Sequence, residues 1–99
     1  MDKANIKDLE VEKQLDYKDI VVKLYKVPFK HKCNRNIMAE NRQGKILWQV
    51  NDISPNKDAP FTNIMPYSSE KILAYNWIGA YCYINISSGE IEIPHQRLW

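Results

Sequence analysis

The sequence predicts an all-β fold: eight short antiparallel strands in two four-stranded meanders, packed as a sandwich or half-barrel. Three observations carry that prediction. Short segments that alternate apolar and polar residues, or that are rich in β-branched and aromatic residues, recur along all 99 positions. Between them, Asn, Asp, Ser and Gly cluster in lengths that suit tight turns. The second half also repeats the first at an offset of 45 residues, which lays Gly44 over Gly89, Ile46 over Ile91 and Ala39 over Ile84.

The first strand is LEVEKQL, residues 9–15, which sets Leu9, Val11, Lys13 and Leu15 on one side and Glu10, Glu12 and Gln14 on the other. A short helix joining Ile6, Leu9 and Lys13 is the alternative; the alternation favours the strand. DYKD (16–19) has turn composition, and IVVKLYKV (20–27) is β-branched up to Pro28, which lacks the N–H a ladder needs. NIMAE (36–40) and KILWQV (45–50) flank NRQG, where Gly44 suits a positive φ. NDISPNKDAP (51–60) is too polar and proline-rich for a sheet and reads as the one long loop. FTNIMPY (61–67), ILAYNW (72–77), AYCYINI (80–86) and IEIPH (91–95) then complete the strands, separated by SSEK, Ile78-Gly79 and SSGE. Residues 1–99 therefore read as one domain, with a first meander over about 9–50 and a second over about 61–95.

An apolar fraction of 44% with 11% aromatics argues for a packed globule over a disordered chain. Charges alternate in MDKANIKDLEVEK where a secretion signal needs an apolar run, so a cytoplasmic protein without membrane contact is expected. In that compartment Cys33 and Cys82 are expected as thiols. The formal charge of +2 is unevenly spread: residues 21–45 carry seven bases against Glu40 alone, so any polyanion contact would centre there.

Catalytic constellations are sparse. His31 and His95, with Lys30 or Lys32, are the residues an acid/base ribonuclease would use, but nothing in their spacing brings them together. His31, Cys33, Cys82 and His95 offer zinc-type ligands without the paired spacing of a structural site. Cys82, between Tyr81 and Tyr83, reads instead as a small core residue. No nucleophile elbow, phosphate loop or dinucleotide fingerprint occurs. The expectation is a binder and not an enzyme, with no cofactor and no metal. Trp48 and Trp77 are expected in the core, as a domain this small needs large rings there.

The run Gly44-Lys45-Ile46-Leu47-Trp48, and more loosely Gly89-Glu90-Ile91, resembles the blade motif of quinoprotein-type or tryptophan-docking β-propellers. Two such sheets cannot close a ring that takes about four or more blades, but they can bury their apolar faces on each other. GKILWQV (44–50), PFTNI (60–64), AYNWIG (74–79) and YINISSGEI (83–91) also resemble stretches of small single-domain bacterial immunity-type proteins, as found in contact-dependent inhibition and polymorphic toxin systems. That resemblance implies stoichiometric binding of a cognate toxin, such as a nuclease, with its active site covered.

Candidate contact residues follow from composition. Loop 51–60 presents Asp52, Asn56, Lys57 and Asp58 beside prolines that limit the entropy lost on docking. Arg97 and Trp99 are side chains typical of interface hot spots. Toward a basic toxin, Asp52, Asp58, Glu90 and Glu92 are the expected steering charges. The alternative function is a small single-stranded nucleic-acid-binding module using the basic segment 23–35. Monomer and dimer both remain open.

Overall fold

The computed structural model describes residues 6–29 and 31–94. A 3-10 turn, Ile6–Asp8, leads into a sheet of β1 (Glu10–Asp16), β2 (Ile20–Lys26), β3 (Ile37–Asn41) and β4 (Ile46–Gln49). A second sheet follows, made of β5 (Phe61–Pro66), β6 (Lys71–Asn76), β7 (Tyr81–Asn85) and β8 (Ile91–Glu92). Each sheet is a pure antiparallel meander in chain order. The two predicted meanders are therefore present, joined by residues 50–60. β8 is shorter than the sequence suggests, because Pro94 has no N–H with which to extend the ladder beside β7.

Period-two alternation decides which face of each sheet is buried. Val22 and Leu24 of β2, Ile37 and Ala39 of β3, and Trp48 of β4 point to the same side. They meet Phe61, Ile64, Ile72, Ala74, Cys82 and Ile84 of the second sheet in one continuous core. Each fully buried Val, Leu or Ile contributes about 1.5–3 kcal/mol relative to exposure, so this shared layer is the main attraction between the sheets. A bulge between Val11 and Lys13 resets β1, leaving Val11 exposed and bringing the Lys13 ammonium to Asn63 Oδ1 at 3.1 Å.

Two kinds of polar lock reinforce the apolar layer, the first made by Asn36 and Asn34 and the second by Trp48. Asn36, fully buried where the chain enters β3, donates through Nδ2 to Tyr25 O and to Phe61 O, each at 2.8 Å, and its Oδ1 accepts from Phe61 N at 2.8 Å. One side chain thus ties β2 to the start of β5. Asn34 does the same for the connecting loop: its Nδ2 donates to the Asp52 carboxylate at 3.1 Å and to Lys57 O at 2.7 Å, and its Oδ1 accepts from Ala59 N. The second lock joins β4 to the turn after β7. Trp48 Nε1 donates to Ile86 O at 2.8 Å, and Gly89, at φ +75°, lies flat against the indole ring.

Trp77 departs from expectation. Its size predicts a place in the core beside Trp48, yet it is 72% exposed. The inward set on β6 is Ile72, Ala74 and Asn76, so the next residue faces outward, and residues 77–80 form a turn closed by Gly79 N onto Asn76 O at 3.1 Å. Cys82 is buried as expected, and burial pushes its thiol from an ordinary 9.0 up to about 11. Because the folded state holds the protonated form, the stability from this group is complete below about pH 9 and is lost as the pH rises toward 11. Ellman titration of the native protein is expected to label Cys33, which is half-buried, well before Cys82, which should react only on unfolding. Equal native rates for the two thiols would contradict this packing.

Candidate interaction surface

The outer faces of the two sheets differ. On the first sheet, Tyr25 and Met38 are covered by Ile6, with Leu9 packed alongside, and Lys23 pairs with Glu40 at 3.1 Å. On the second, the same alternation that buries Ile72, Ala74, Cys82 and Ile84 turns Leu73, Tyr75, Tyr81 and Tyr83 outward. Register places Tyr75 opposite Tyr81 and Leu73 opposite Tyr83, with Met65 beyond Leu73 and Glu92 beyond Tyr83. Among the described residues no buried cluster forms on this face as Ile6, Tyr25 and Met38 do on the other.

The rings form a connected group. The Tyr67 and Tyr83 centroids are 4.4 Å apart, Tyr81 meets Tyr83 edge-on at 6.2 Å, and Tyr75 lies 5.6 Å from Tyr81. Tyr67 is 58% exposed and Tyr81 37%, while Tyr75 and Tyr83 are half-buried. Desolvation, the adjoining Tyr67 and Tyr81 and the Glu92 carboxylate all push the Tyr83 phenol above its ordinary value, so Tyr83 stays protonated at neutral pH. The carboxylate of Glu92 is paired with Lys71, and exposed Glu70 and Glu90 lie in the two turns at the same end of the sheet.

The opposite end of the second sheet carries a further aromatic feature. Trp77 N donates to Pro60 O at 2.8 Å, and the Asn76 side chain accepts from Ala80 N at 2.9 Å and donates to Ser54 Oγ at 3.1 Å, so the backbone under the exposed indole is fixed. Facing Trp77 is the turn closed by His31 N onto Pro28 O, with Phe29 at its tip, 97% exposed. Between them is a cleft of about 210 Å³ whose lining includes His31, Asp58 and Pro60.

The contact residues expected from sequence fall into two groups. Asp52, Asn56, Lys57 and Asp58 lie together in the connecting loop, at the Trp77 end. Asp52 is turned inward, its carboxylate accepting from Asn34 and from Ser54 N at 2.8 Å. Glu90 and Glu92 lie with the tyrosines instead, Glu90 in the turn at the far end of β7 from residues 77–80. Arg97 and Trp99, like Lys30 and His95, lie outside the described residues. Within the basic segment, Lys23 is paired with Glu40, Lys26 stands opposite Glu10 on β1, and Arg35 Nε donates to Val50 O at 2.9 Å. Among the described residues no three His, Cys, Asp or Glu side chains gather as a metal site, and no helix is long and apolar enough to cross a membrane.

Fold and surface together define a small two-sheet β-domain whose exposed aromatic side chains concentrate on its second sheet. The chain belongs to the DUF7957 family, described as a domain of unknown function, whose family model matches residues 3–95. No curated protein and no solved structure matches it.

Proposed function

We propose that this domain acts by stoichiometric protein–protein binding, in the manner of an immunity protein that blocks a cognate toxin, with the outer face of the second sheet as the contact. The observation that carries this reading is the connected tyrosine group on that face, with Tyr67 and Tyr81 exposed. Tyrosine brings large contact area with only two rotatable torsions, and interface centres are rich in aromatic residues and Met and poor in charge. Met65, Leu73 and the four rings have that composition, and Glu70, Glu90 and Glu92 form the polar border. An acidic border suits a basic partner, as a nuclease toxin would be, and chiefly speeds its association.

The test begins with tagged protein in lysate of the source cells, with co-purifying proteins identified by mass spectrometry and the leading partner then purified. Tyr81→Ala and Tyr83→Ala are each expected to weaken its affinity by about tenfold or more while circular dichroism stays native. Glu90→Lys with Glu92→Lys should slow association and flatten its salt dependence. For the immunity reading, one equivalent of the domain must abolish the partner's toxic activity. A partner that binds both tyrosine variants undiminished removes the face from consideration.

A further inference from the structure

We propose that the cleft between Phe29 and Trp77 is a slot for an arginine side chain of a basic protein partner. This deepens the protein-binding reading and rests on it. The lining of the cleft includes the two solvent-exposed aromatic side chains and Pro60, to whose carbonyl Trp77 N is bonded at 2.8 Å. Among the described lining residues Asp58 alone carries a formal negative charge, and no described side chain pairs with it. Lys57, its neighbour in the loop, does not line the cleft.

Aromatic faces with a carboxylate at their edge have the chemistry of a cation site. A guanidinium is planar, weakly hydrated and stacks on an indole while its N–H fork reaches a carboxylate, so it satisfies ring and acid together. An ammonium satisfies the acid but cannot stack. A nucleic-acid strand would find rings to stack on but would bring its phosphates against Asp58. The Asp58 side of the slot is also preorganised. Asn34 anchors the loop on both sides of Asp58, through Lys57 O at 2.7 Å and Ala59 N at 2.9 Å, so little ordering remains to be done on binding. Tyr75 and Trp77 are successive outward residues at the end of β6, so the slot continues the tyrosine face over the end of the sheet.

The experiment is an NMR titration of the 99-residue chain with N-acetyl-arginine amide. It follows the Trp77 indole N–H, assigned through Trp77→Phe, with the buried Trp48 indole as internal reference. Saturable movement of the Trp77 signal is expected with a Kd on the order of millimolar, with N-acetyl-lysine amide weaker. Asp58→Asn and Phe29→Ala should each weaken the arginine response by about threefold to fivefold, and as exposed positions they leave the fold intact. Three results overturn the slot: no movement of Trp77 with arginine, no effect of Asp58→Asn, or a mixed-sequence single-stranded oligonucleotide moving Trp77 at lower concentration than arginine. If the slot fails while Tyr81→Ala still releases the protein partner, the protein-binding reading stands. If arginine binds but no partner depends on the tyrosines, the slot stands and the tyrosine face does not.

Discussion

Replacing Gly89 by alanine is expected to destabilise the domain by about 3 kcal/mol or more and to lower its Tm by roughly 15 °C. Two independent penalties add at this position. A Cβ built on Gly89 would lie 2.6 Å from the Trp48 ring carbons Cγ and Cδ2, well inside contact distance, and the ring cannot move aside without losing the Nε1 bond to Ile86 O. The backbone also sits at φ +75°, where an L-residue costs about 1–2 kcal/mol. Gly44 separates the two effects. Its φ is +85° but nothing lies within 4 Å of the added carbon, so Gly44→Ala should show the backbone penalty alone. Urea unfolding of both variants, followed by circular dichroism, makes the comparison. Equal losses at the two glycines would mean that the contact between Trp48 and the turn after β7 contributes nothing.

Asn36→Ala is expected to be at least as severe, about 3–5 kcal/mol, because it leaves Tyr25 O, Phe61 O and Phe61 N in an apolar interior without the partner that now satisfies them. Asn36→Asp tests the same lock through pH. The carboxylate would face two carbonyl oxygens, so its folded-state pKa must rise above the ordinary value near 3.9. By linkage the variant should be least stable at neutral pH and recover as acid restores a hydroxyl able to donate to one of them. Unfolding midpoints at several pH values between 4 and 7 provide the check. A variant as stable at pH 7 as at pH 4 would show that Asn36 is not held between those carbonyls.

The strands were readable from the sequence because alternation is local. Val22 and Leu24, or Ile72 and Ala74, announce both strand and inner face within a few residues. The same rule identifies Cys82 as a core residue and Tyr81 and Tyr83 as outward. Trp77 runs against expectation because its size argues for burial, whereas its parity with Tyr75 and the turn beginning at 77 put it in solvent. Asn34 and Asn36 give no signal, since they act on residues 11 to 25 positions away and nothing nearby marks an asparagine that will be buried. Asp52 looked like a surface charge for the same reason, its partner Asn34 being distant in sequence. The cleft beside Phe29 also needs the fold, because only the antiparallel order of β6 and the course of residues 51–60 bring Asp58 and Trp77 together.

The chain-order topology has a consequence for biosynthesis. All four strands of the first sheet are complete by Gln49, but the layer that covers Val22, Leu24, Ile37, Ala39 and Trp48 comes mainly from Phe61, Ile64, Ile72, Ala74, Cys82 and Ile84. At about 5–20 residues per second, the ribosome takes several seconds to supply it. During that interval the nascent chain can present a finished β-sheet with one bare apolar face. The Asn36 amide likewise waits for Phe61, the first residue of the second sheet, so the polar lock closes only once the covering half has begun to emerge.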